Sequence, residues 1–347
     1  MVAQIDKTML RKRPMKIPGR VLSWALIEGR PLTTKGQWIN GLVFAGYRLA
    51  QMIPMRKGAD RPVYIIGTGR SGTTVLGTLF AMHRDTVFLN EPKAIWHAAH
   101  GREDIIGSYT TAPSQIRLPA PEATPAMARK IARIYSGAMR VGLARRVVDK
   151  YPELVFRVPF VLALFPQARF IAILRDGVDT CSSVTGWSKR KGENVGDQVH
   201  DWWGRDGRKW QMIVDQLLPE HADLAPLQDQ LRTCMDHRDR AAVEWILSMR
   251  EARAMAAQHP QVLTLTYEDL CQNPEPVLAQ MLSHCDLADD PVFVDYAKTI
   301  LNKADSYATL ELHPDLVVPF RTELQTMGYP SGPDRVTARD VTQDHPA

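Results

Sequence analysis

Residues 67–74 have the composition of a loop that binds phosphate. Their sequence, GTGRSGTT, directly follows the β-branched and aromatic run 63–66, which predicts a short buried strand. An apolar helical pattern begins at Val75. A strand, a glycine-rich turn and a helix N-terminus together present backbone N–H groups to phosphate oxygens. The turn could instead be only a tight strand-to-helix connection, but its arginine and hydroxyl groups favour an anionic ligand.

The loop departs at one position from the GxxxxGK[ST] pattern of nucleoside triphosphatases and kinases. Thr73 stands where that pattern has its lysine, the cation that reaches the β- and γ-phosphates. Arg70 lies three positions earlier, inside the loop. A phosphotransferase that uses ATP and magnesium, with Asp176 as the metal-binding acid, is therefore a less favoured interpretation.

A second cation follows another predicted strand. Arg175 comes directly after the apolar end of that strand, and Ser183 stands eight residues later. Further along, Tyr267 opens the segment YEDL, which Pro274 follows. Together with the RSGTT loop, these features resemble the sulfotransferase family in content and order, over about residues 61–290.

The resemblance implies that the protein takes a sulfuryl group from 3′-phosphoadenosine 5′-phosphosulfate (PAPS) and releases 3′-phosphoadenosine 5′-phosphate (PAP). PAPS has two separated anionic groups, so its binding needs two cationic clusters at the carboxyl ends of strands. Arg175 could alternatively form an ion pair with Asp176 or Asp179. No metal is implied. The residues that the resemblance assigns to cofactor binding are Gly69, Arg70, Ser71, Gly72, Thr73, Thr74, Arg175 and Ser183.

Sulfuryl transfer needs cations for the charge that develops on the bridging oxygen and a base for the acceptor proton. Arg70 is the first cation, and Lys150, in the segment DKYP, resembles the family's lysine at a strand end. The branch that acts on small phenols and steroids has a histidine two residues later, where this chain has Pro152. The carbohydrate, lipid and tyrosylprotein branches often have a glutamate after the second strand, which makes Glu91 the candidate general base.

Other interpretations of these residues stay open in the sequence. Lys150 could be a solvated lysine at a strand end, and Glu91 could be an exposed loop acid. His97 and His100 are the other candidate bases. We expect the acceptor to be a small molecule, a glycan or a lipid that offers a hydroxyl or, less favoured, an amine.

Strand and helix patterns alternate along the chain. This predicts an α/β fold of the P-loop nucleotide-binding type, with an open, mostly parallel sheet flanked by helices. Residues 197–258 are predicted to be helical throughout, as a helical insertion near the middle of the sheet. The other predicted helices include 125–143 and 160–165, and the predicted strands are 63–66, 86–89, 146–148, 169–174 and 262–265.

Two groups of residues in the insertion have more than one possible role. Trp202, Trp203 and Trp210 lie near basic residues and could line an acceptor site, but their largely helical spacing favours core packing. Arg240 and Glu244 have the i, i+4 spacing of an ion pair on a helix surface.

The first 60 residues differ from the rest of the chain in charge. They contain eleven Lys and Arg against three Asp and Glu, a net charge of +8, which leaves −3 for the remainder of a chain with net charge +5. Residues 21–27 and 38–52 have the spacing of short amphipathic helices, which could pack on the body of the protein or lie on an anionic membrane. We predict a basic N-terminal arm (1–60), a sulfotransferase domain (61–330) and a C-terminal tail (331–347).

Composition limits the remaining possibilities. The 347 residues are 45% apolar and 23% charged, which is typical of a globular protein. The absence of a signal-peptide pattern and of a long apolar stretch predicts a cytoplasmic protein, with peripheral membrane contact of the arm left open. Four cysteines without CxxC spacing predict core thiols.

Nucleic acid is not expected as a partner, and the oligomeric state is open. A non-catalytic module that binds nucleotide or polyanion through the arm is a second alternative function.

Overall fold

The computed structural model describes residues 2–301 and 309–340. Its strands, in chain order, are β1 (Val63–Gly67), β2 (Thr86–Asn90), β3 (Arg146–Lys150), β4 (Arg169–Leu174), β5 (Glu193–Val195), β6 (Gln198–Asp201), β7 (Gly204–Arg205), β8 (Val262–Thr266), β9 (Leu310–Leu312) and β10 (Val336–Ala338).

Helices cover both faces of the central sheet. In chain order they are α1 (Lys7–Lys12), α2 (Ile17–Leu26), α3 (Asn40–Ala50), α4 (Thr73–Met82), α5 (Lys93–Ala99), α6 (Pro125–Val141), α7 (Val158–Leu164), α8 (Gly177–Lys191), α9 (Arg208–Met212), α10 (Gln228–Arg232), α11 (His237–Gln258), α12 (Tyr267–Gln272), α13 (Pro274–His284), α14 (Pro291–Ile300) and α15 (Pro314–Thr326).

The central sheet of the described residues has five strands in the order β2-β3-β1-β4-β8, and its strand pairs are parallel. Alternate side chains of β1 enter different cores: Tyr64 and Ile66 face one, and Val63 and Ile65 face the other. Burial on both faces is what a parallel sheet requires. The predicted α/β fold and its five predicted strands are confirmed.

The prediction that residues 197–258 are helical throughout is wrong at its start. Strands β5, β6 and β7 form a small antiparallel sheet there, and short helices follow before α11. Gly196 and Gly204 have φ of 61° and 84°, a left-handed backbone that glycine adopts readily and that allows tight turns. These turns prevent a continuous helix, although the apolar residues of this stretch have helical spacing.

The prediction of a surface ion pair between Arg240 and Glu244 is also wrong. Both residues lie on α11, but they are only 6% and 2% exposed. Arg240 donates to the Cys234 carbonyl at 2.7 Å, and Glu244 Oε1 lies 2.6 Å from Lys209 Nζ. Helical spacing shows which residues share a face, and here other segments pack on that face.

The N-terminal segment packs on the rest of the protein. Helices α2 and α3 confirm the two predicted helical segments. Arg13 pairs with Asp290 at 2.5 Å, and Arg20 pairs with Glu28 at 2.5 Å. Part of the basic charge of this segment is thus used inside the molecule. The domain boundaries at residues 60 and 330 stay predictions, and residues 341–347 of the predicted tail lie outside the described residues.

The cysteines are free thiols in the structure. Cys181 and Cys285 are buried, as predicted for core thiols, whereas Cys234 and Cys271 are half-buried. In the ranges described, no helix combines the length and the apolar character needed to span a lipid bilayer.

Candidate active site

The predicted phosphate loop lies between the end of β1 and the start of α4. The backbone of Arg70 has φ 70° and that of Gly72 φ 99°. Left-handed backbone is unfavourable for arginine, so the loop conformation has to be held by its surroundings. Ser71 is fully buried and donates to the Thr68 carbonyl at 2.6 Å. Since α4 begins at Thr73, the free N–H groups of its first turn face the loop.

Two glycines of the loop allow aromatic rings to pack against the backbone. A Cβ atom on Gly69 would lie 2.5 Å from the ring of Trp202, and one on Gly72 would lie 2.4 Å from the ring of Tyr267. Tyr267 is the first residue of α12, directly after β8. The YEDL segment noted in the sequence therefore contacts the phosphate loop.

Arg175 and Ser183 lie against the same loop. Arg175 donates from Nη1 to the Arg70 carbonyl at 3.1 Å, and its guanidinium carbon lies 4.7 Å from the centre of the Tyr267 ring. Ser183, on α8, accepts from Arg70 Nε at 3.0 Å. The alternative partner of Arg175, Asp179, is 3.9 Å away. The two cationic features found in the sequence thus meet at one place.

Positive charge accumulates beside the loop. Burial lowers the pKa of Arg70, and the guanidinium groups of Arg190 and Arg175 lower it further. An anion placed beside these guanidinium groups would be stabilised by their combined positive charge. Arg190, near the end of α8, belongs to no motif and was missed in the sequence.

Asp176 does not have the surroundings of a metal ligand. Its carboxylate accepts from the backbone N–H groups of Val178 and Asp179 and from Arg335 Nη1 at 2.7 Å. Asp176 therefore caps the N-terminus of α8. Among residues 2–301 and 309–340, no group of three or more His, Cys, Asp or Glu side chains is arranged to hold a metal ion.

Glu91 and Lys150 form an ion pair at the ends of neighbouring strands. Glu91 Oε1 lies 2.5 Å from Lys150 Nζ, and the two side chains are 35% and 1% exposed. The backbone of Glu91 has φ 49°, and its N–H donates to the Lys150 carbonyl at 2.7 Å. Lys150 is therefore not a solvated lysine, and Glu91 is held by its neighbour rather than free in a loop.

The net shift of the Glu91 pKa is downward. Burial acts to raise this pKa, but the ammonium groups of Lys150 and Lys93 outweigh burial. Lys93 Nζ lies 3.5 Å from Glu91 Oε2. Glu91 is therefore a carboxylate at neutral pH, the form that can accept a proton.

The strand order explains why these groups meet. Parallel strands end at one edge of a sheet, and ligands of open α/β sheets bind outside that edge. Along the edge, the order is Glu91 after β2, Lys150 at the end of β3, the loop after β1, Arg175 after β4 and Tyr267 after β8. The anion-binding features are thus on the β1 and β4 side, and the candidate base is on the β2 side.

A cleft with about 810 Å³ of empty space, open to solvent, lies at this edge. Six of the predicted site residues line it: Gly69, Arg70, Thr73, Thr74, Glu91 and Lys150. The other lining residues are Pro31, Thr33, Asn90, Lys93, Ile106, Pro152, Glu153, Trp187, Asp201, Trp202 and Lys209. The structure brings the predicted residues together, and their catalytic and cofactor-binding roles stay predictions.

The tryptophan cluster divides between the core and the cleft. Trp203 and Trp210 are fully buried, as core packing predicts. Trp202 lines the cleft, and its ring lies edge-on to Trp187 with 5.3 Å between the ring centres. Trp202 is therefore the one member of the cluster placed to contact a ligand.

A chain of buried charges begins at Lys93, beside the candidate base. Lys93 lies 3.5 Å from Glu153, and Lys209 lies 3.1 Å from Glu153 and 2.6 Å from Glu244. Glu244 also accepts from the indole N–H of Trp202 at 3.0 Å. These residues come from distant parts of the chain and share no motif, so the sequence did not predict that they contact one another.

The two histidines offered as alternative bases lie elsewhere. The ring of His97 stacks on Tyr109 with 5.3 Å between centres, and His100 Nε2 lies 3.0 Å from Glu122. Neither histidine is among the described residues that line the cleft. Of the three candidate bases, Glu91 alone faces it.

Comparison with known families agrees with the motifs. The family described as "Sulfotransferase family" matches residues 62–231, from the start of β1 into the insertion. These residues belong to the sulfotransferase family. The resemblance stated from the sequence is thereby confirmed.

Solved structures similar to this chain have low sequence identity. STF9 from Mycobacterium avium is 15% identical, with 90% of this chain and 86% of that chain covered and a TM-score of 0.47. The sulfotransferase from Alicyclobacillus acidocaldarius is 14% identical, with 77% and 95% covered and a TM-score of 0.40. Mouse SULT7A1, solved with PAP, is 11% identical, with 75% and 71% covered and a TM-score of 0.36. Comparison with curated protein sequences gave no significant match.

Proposed function

We propose that this sulfotransferase transfers the sulfuryl group of PAPS to an acceptor hydroxyl, or less favourably an amine, and releases PAP. The observation that carries the proposal is the meeting of Arg70, Arg175 and Ser183 at the N-terminus of α4, where Arg70 is hydrogen-bonded to both of the other residues. A helix N-terminus surrounded by guanidinium groups is suited to a ligand with more than one anionic group.

We assign the two anionic groups of PAPS to different parts of this arrangement. The phosphosulfate lies at residues 69–74, of which Thr73 and Thr74 line the cleft. The 3′-phosphate lies at Arg175 and Ser183. This orientation directs the sulfuryl group toward Glu91 and Lys150, which line the cleft with the loop.

The transfer step then uses groups already in place. The bond between the sulfur and the bridging oxygen of PAPS breaks, and the acceptor oxygen forms a new bond to sulfur. Arg70 and Lys150 stabilise the negative charge that develops on the departing phosphate oxygen. Glu91 takes the acceptor proton.

The ion pair between Glu91 and Lys150 couples these two roles. While Lys150 lies on the carboxylate, it holds the pKa of Glu91 down. Negative charge on the departing oxygen attracts the Lys150 ammonium and weakens the ion pair between Lys150 and Glu91. The proton affinity of Glu91 therefore rises as the acceptor proton has to be taken up.

The two alternative functions are less favoured. A phosphotransferase that uses ATP and magnesium would need a lysine at Thr73 and a metal-binding Asp176, which is instead the cap of α8. A non-catalytic polyanion-binding module would have no use for the buried Lys150 paired with Glu91.

Thermal melting with PAP tests the proposed function. PAP without added metal should raise the melting temperature more than ATP with magnesium does. A ligand at 100 times its Kd adds about 2.7 kcal/mol to the free energy of unfolding, a change that thermal melting resolves. Arg175→Ala should abolish most of the PAP effect, since it removes a charge-assisted contact. The matched control is Arg61→Ala, an exposed arginine before β1 that pairs with Asp286 at 3.0 Å. Equal or greater stabilisation by ATP and magnesium would favour the kinase-like function instead.

A further inference from the structure

The surface of the N-terminal segment exposes an unusual amount of apolar side chain. Among the described residues, seventeen large apolar side chains are exposed, and eleven of them lie between Leu10 and Met55. Single exposed apolar residues are common on soluble proteins, but a concentration of them indicates a binding surface.

Helix α3 is apolar on both of its faces. Val43 and Tyr47 point into the core. The opposite face is exposed and carries no charge except at its margin, where Arg48 lies. Its residues follow the helical spacing and continue beyond both helix ends: Trp38, Leu42, Ala45, Gly46, Leu49, Met52 and Ile53. The packing of α3 thus satisfies only half of its apolar surface.

Helix α2 repeats this pattern. Arg20 and Ser23 are buried, whereas Val21, Leu22 and Leu26 are exposed. Helix α2 contacts α3, and both contact α6. The exposed apolar side chains therefore come from neighbouring helices, which we call the arm face: the outer sides of α2 and α3 and the residues up to Met55.

The charge around the arm face has one sign. Between Asp6 and Asp60 the sequence contains a single acid, Glu28, and this acid is buried. The exposed cations of this segment are Lys7, Arg11 and Lys12 on α1, and Lys35, Arg48 and Lys57, which are on α3 or near it in sequence. Apolar side chains that enter the headgroup region, surrounded by cations that contact anionic headgroups, are the features of a helix that lies in a membrane interface.

We propose that the arm face binds the surface of an anionic lipid membrane, with the apolar side chains of α3 in the headgroup region. A second copy of the chain fits the arm face less well. Packing two arm faces together would place Lys35, Arg48 and Lys57 of one copy near the same cations of the other, and like charges oppose such an interface.

The arm face is connected directly to the cleft. Pro31 and Thr33, in the segment between α2 and α3, line it. The neighbouring Leu32 N–H donates to Ser108 Oγ at 2.9 Å, which holds this segment in place. Given the proposed function, membrane binding would bring the cleft close to the lipid surface, so we infer an acceptor hydroxyl on an amphiphilic molecule in that surface.

Vesicle co-sedimentation of the full chain tests membrane binding without any need for catalysis. The wild type should bind vesicles of equal parts phosphatidylcholine and phosphatidylglycerol, and should bind pure phosphatidylcholine less. Binding should weaken as salt is added, because charges at a surface are screened. A wild type that stays in the supernatant with the anionic vesicles would overturn the proposal.

A pair of substitutions locates the binding surface. Leu42→Gln together with Leu49→Gln, at side chains that are 59% and 64% exposed, should lower the vesicle partition coefficient by about tenfold or more. The matched control is Val318→Gln, a 70% exposed residue of α15, which should bind vesicles like the wild type. Equal binding by the double variant would exclude the arm face as the membrane surface.

Two further measurements separate the possible causes of a negative result. The PAP-induced thermal shift of the double variant should equal that of the wild type, which shows that the cleft is folded. A wild type that shows the PAP shift but does not bind anionic vesicles would refute the membrane proposal and leave the proposed function standing. If the wild type is a dimer that the double variant turns into a monomer, without vesicle binding, the arm face belongs to a second copy.

Discussion

Arg70 and Glu91 combine a left-handed backbone with a place in the candidate site. Their φ values are 70° and 49°, and such a conformation costs a residue other than glycine about 1–3 kcal/mol. Each is held by a hydrogen bond from another strand end: Arg175 donates to the Arg70 carbonyl, and the Lys150 carbonyl accepts from the Glu91 N–H. Neighbouring strands thus keep both side chains directed at the cleft.

Replacement of Glu91 tests its role as general base. Glu91→Gln keeps the shape of the side chain but cannot accept the proton, so turnover should fall by about 10²- to 10⁴-fold. The PAP-induced thermal shift should remain. The matched control is Glu122→Gln, whose side chain bonds His100 and Arg102 and does not line the cleft. Activity within a few-fold of wild type would refute the assignment.

The pH dependence of turnover should distinguish Glu91 from a histidine base. Because the pKa of Glu91 is lowered, the carboxylate stays ionised until the pH falls below the ordinary value of about 4.3. The acid limb of kcat/KM should therefore lie at or below that value. Lys93→Gln should move the limb to higher pH, since one of the two ammonium groups that lower the pKa is lost. A limb near pH 6.5, about the ordinary pKa of histidine, would contradict the role of Glu91.

At the scale of elements, helix α2 supports the strand that carries the candidate base. Arg20 donates to the Phe88 carbonyl at 3.2 Å and pairs with Glu28. Glu28 Oε1 accepts from the N–H of Asn90 at 2.9 Å. These contacts reach the last residues of β2, directly before Glu91. The N-terminal segment is therefore integral to the site as well as a source of exposed apolar surface.

Replacement of Glu28 measures this support. Arg20 is 3% exposed, so Glu28→Gln leaves a buried guanidinium without its counter-charge, which should lower the free energy of unfolding by about 3–5 kcal/mol. Urea denaturation gives this value. As control, Glu275→Gln breaks an exposed pair with Lys298 and should lower the free energy of unfolding far less, because solvent screens an exposed pair. If the two variants lose equal stability, the contacts of Arg20 and Glu28 with β2 contribute little to the stability of the protein.

At the scale of the whole molecule, carboxyl groups are buried beneath the site. Asp149, on β3, accepts from Trp96 Nε1 at 3.0 Å and from the Tyr135 hydroxyl at 2.6 Å. Burial raises the pKa of Asp149 to about 7, and burial also raises the pKa of Glu103 to about 7. Both carboxyl groups therefore hold a proton in the folded protein at pH values at which the unfolded chain releases it.

This difference gives stability a definite pH dependence. Because the folded pKa of Asp149 is raised, its contribution to the free energy of unfolding is complete below about pH 4 and is lost as the pH rises to about 7. When the pH is raised from about 5 to about 8, the free energy of unfolding of Asp149→Asn should fall less than that of the wild type, as measured by urea denaturation. The exposed Asp229→Asn should follow the wild type. A variant that loses as much as the wild type would show that Asp149 is ionised throughout.

The sequence by itself determined the local parts of the site. A buried strand followed by GTGRSGTT predicts the phosphate loop. The family resemblance assigns roles to Arg175, Lys150 and Glu91, which lie at predicted strand ends, and parallel strands end at one edge. These predictions depend on short patterns of neighbouring residues. The loop, the strands and the meeting of the predicted residues are accordingly found in the structure.

Only the tertiary structure decided which distant residues share the cleft and which apolar surfaces stay uncovered. The charges from Lys93 to Glu244 come together across separate segments, and no local pattern records such contacts. The residues of α3 are apolar on two opposite faces, so the spacing that predicted an amphipathic helix could not tell its buried side from its exposed side. That distinction depends on what packs against the helix, since burial is a property of the neighbours that the fold supplies.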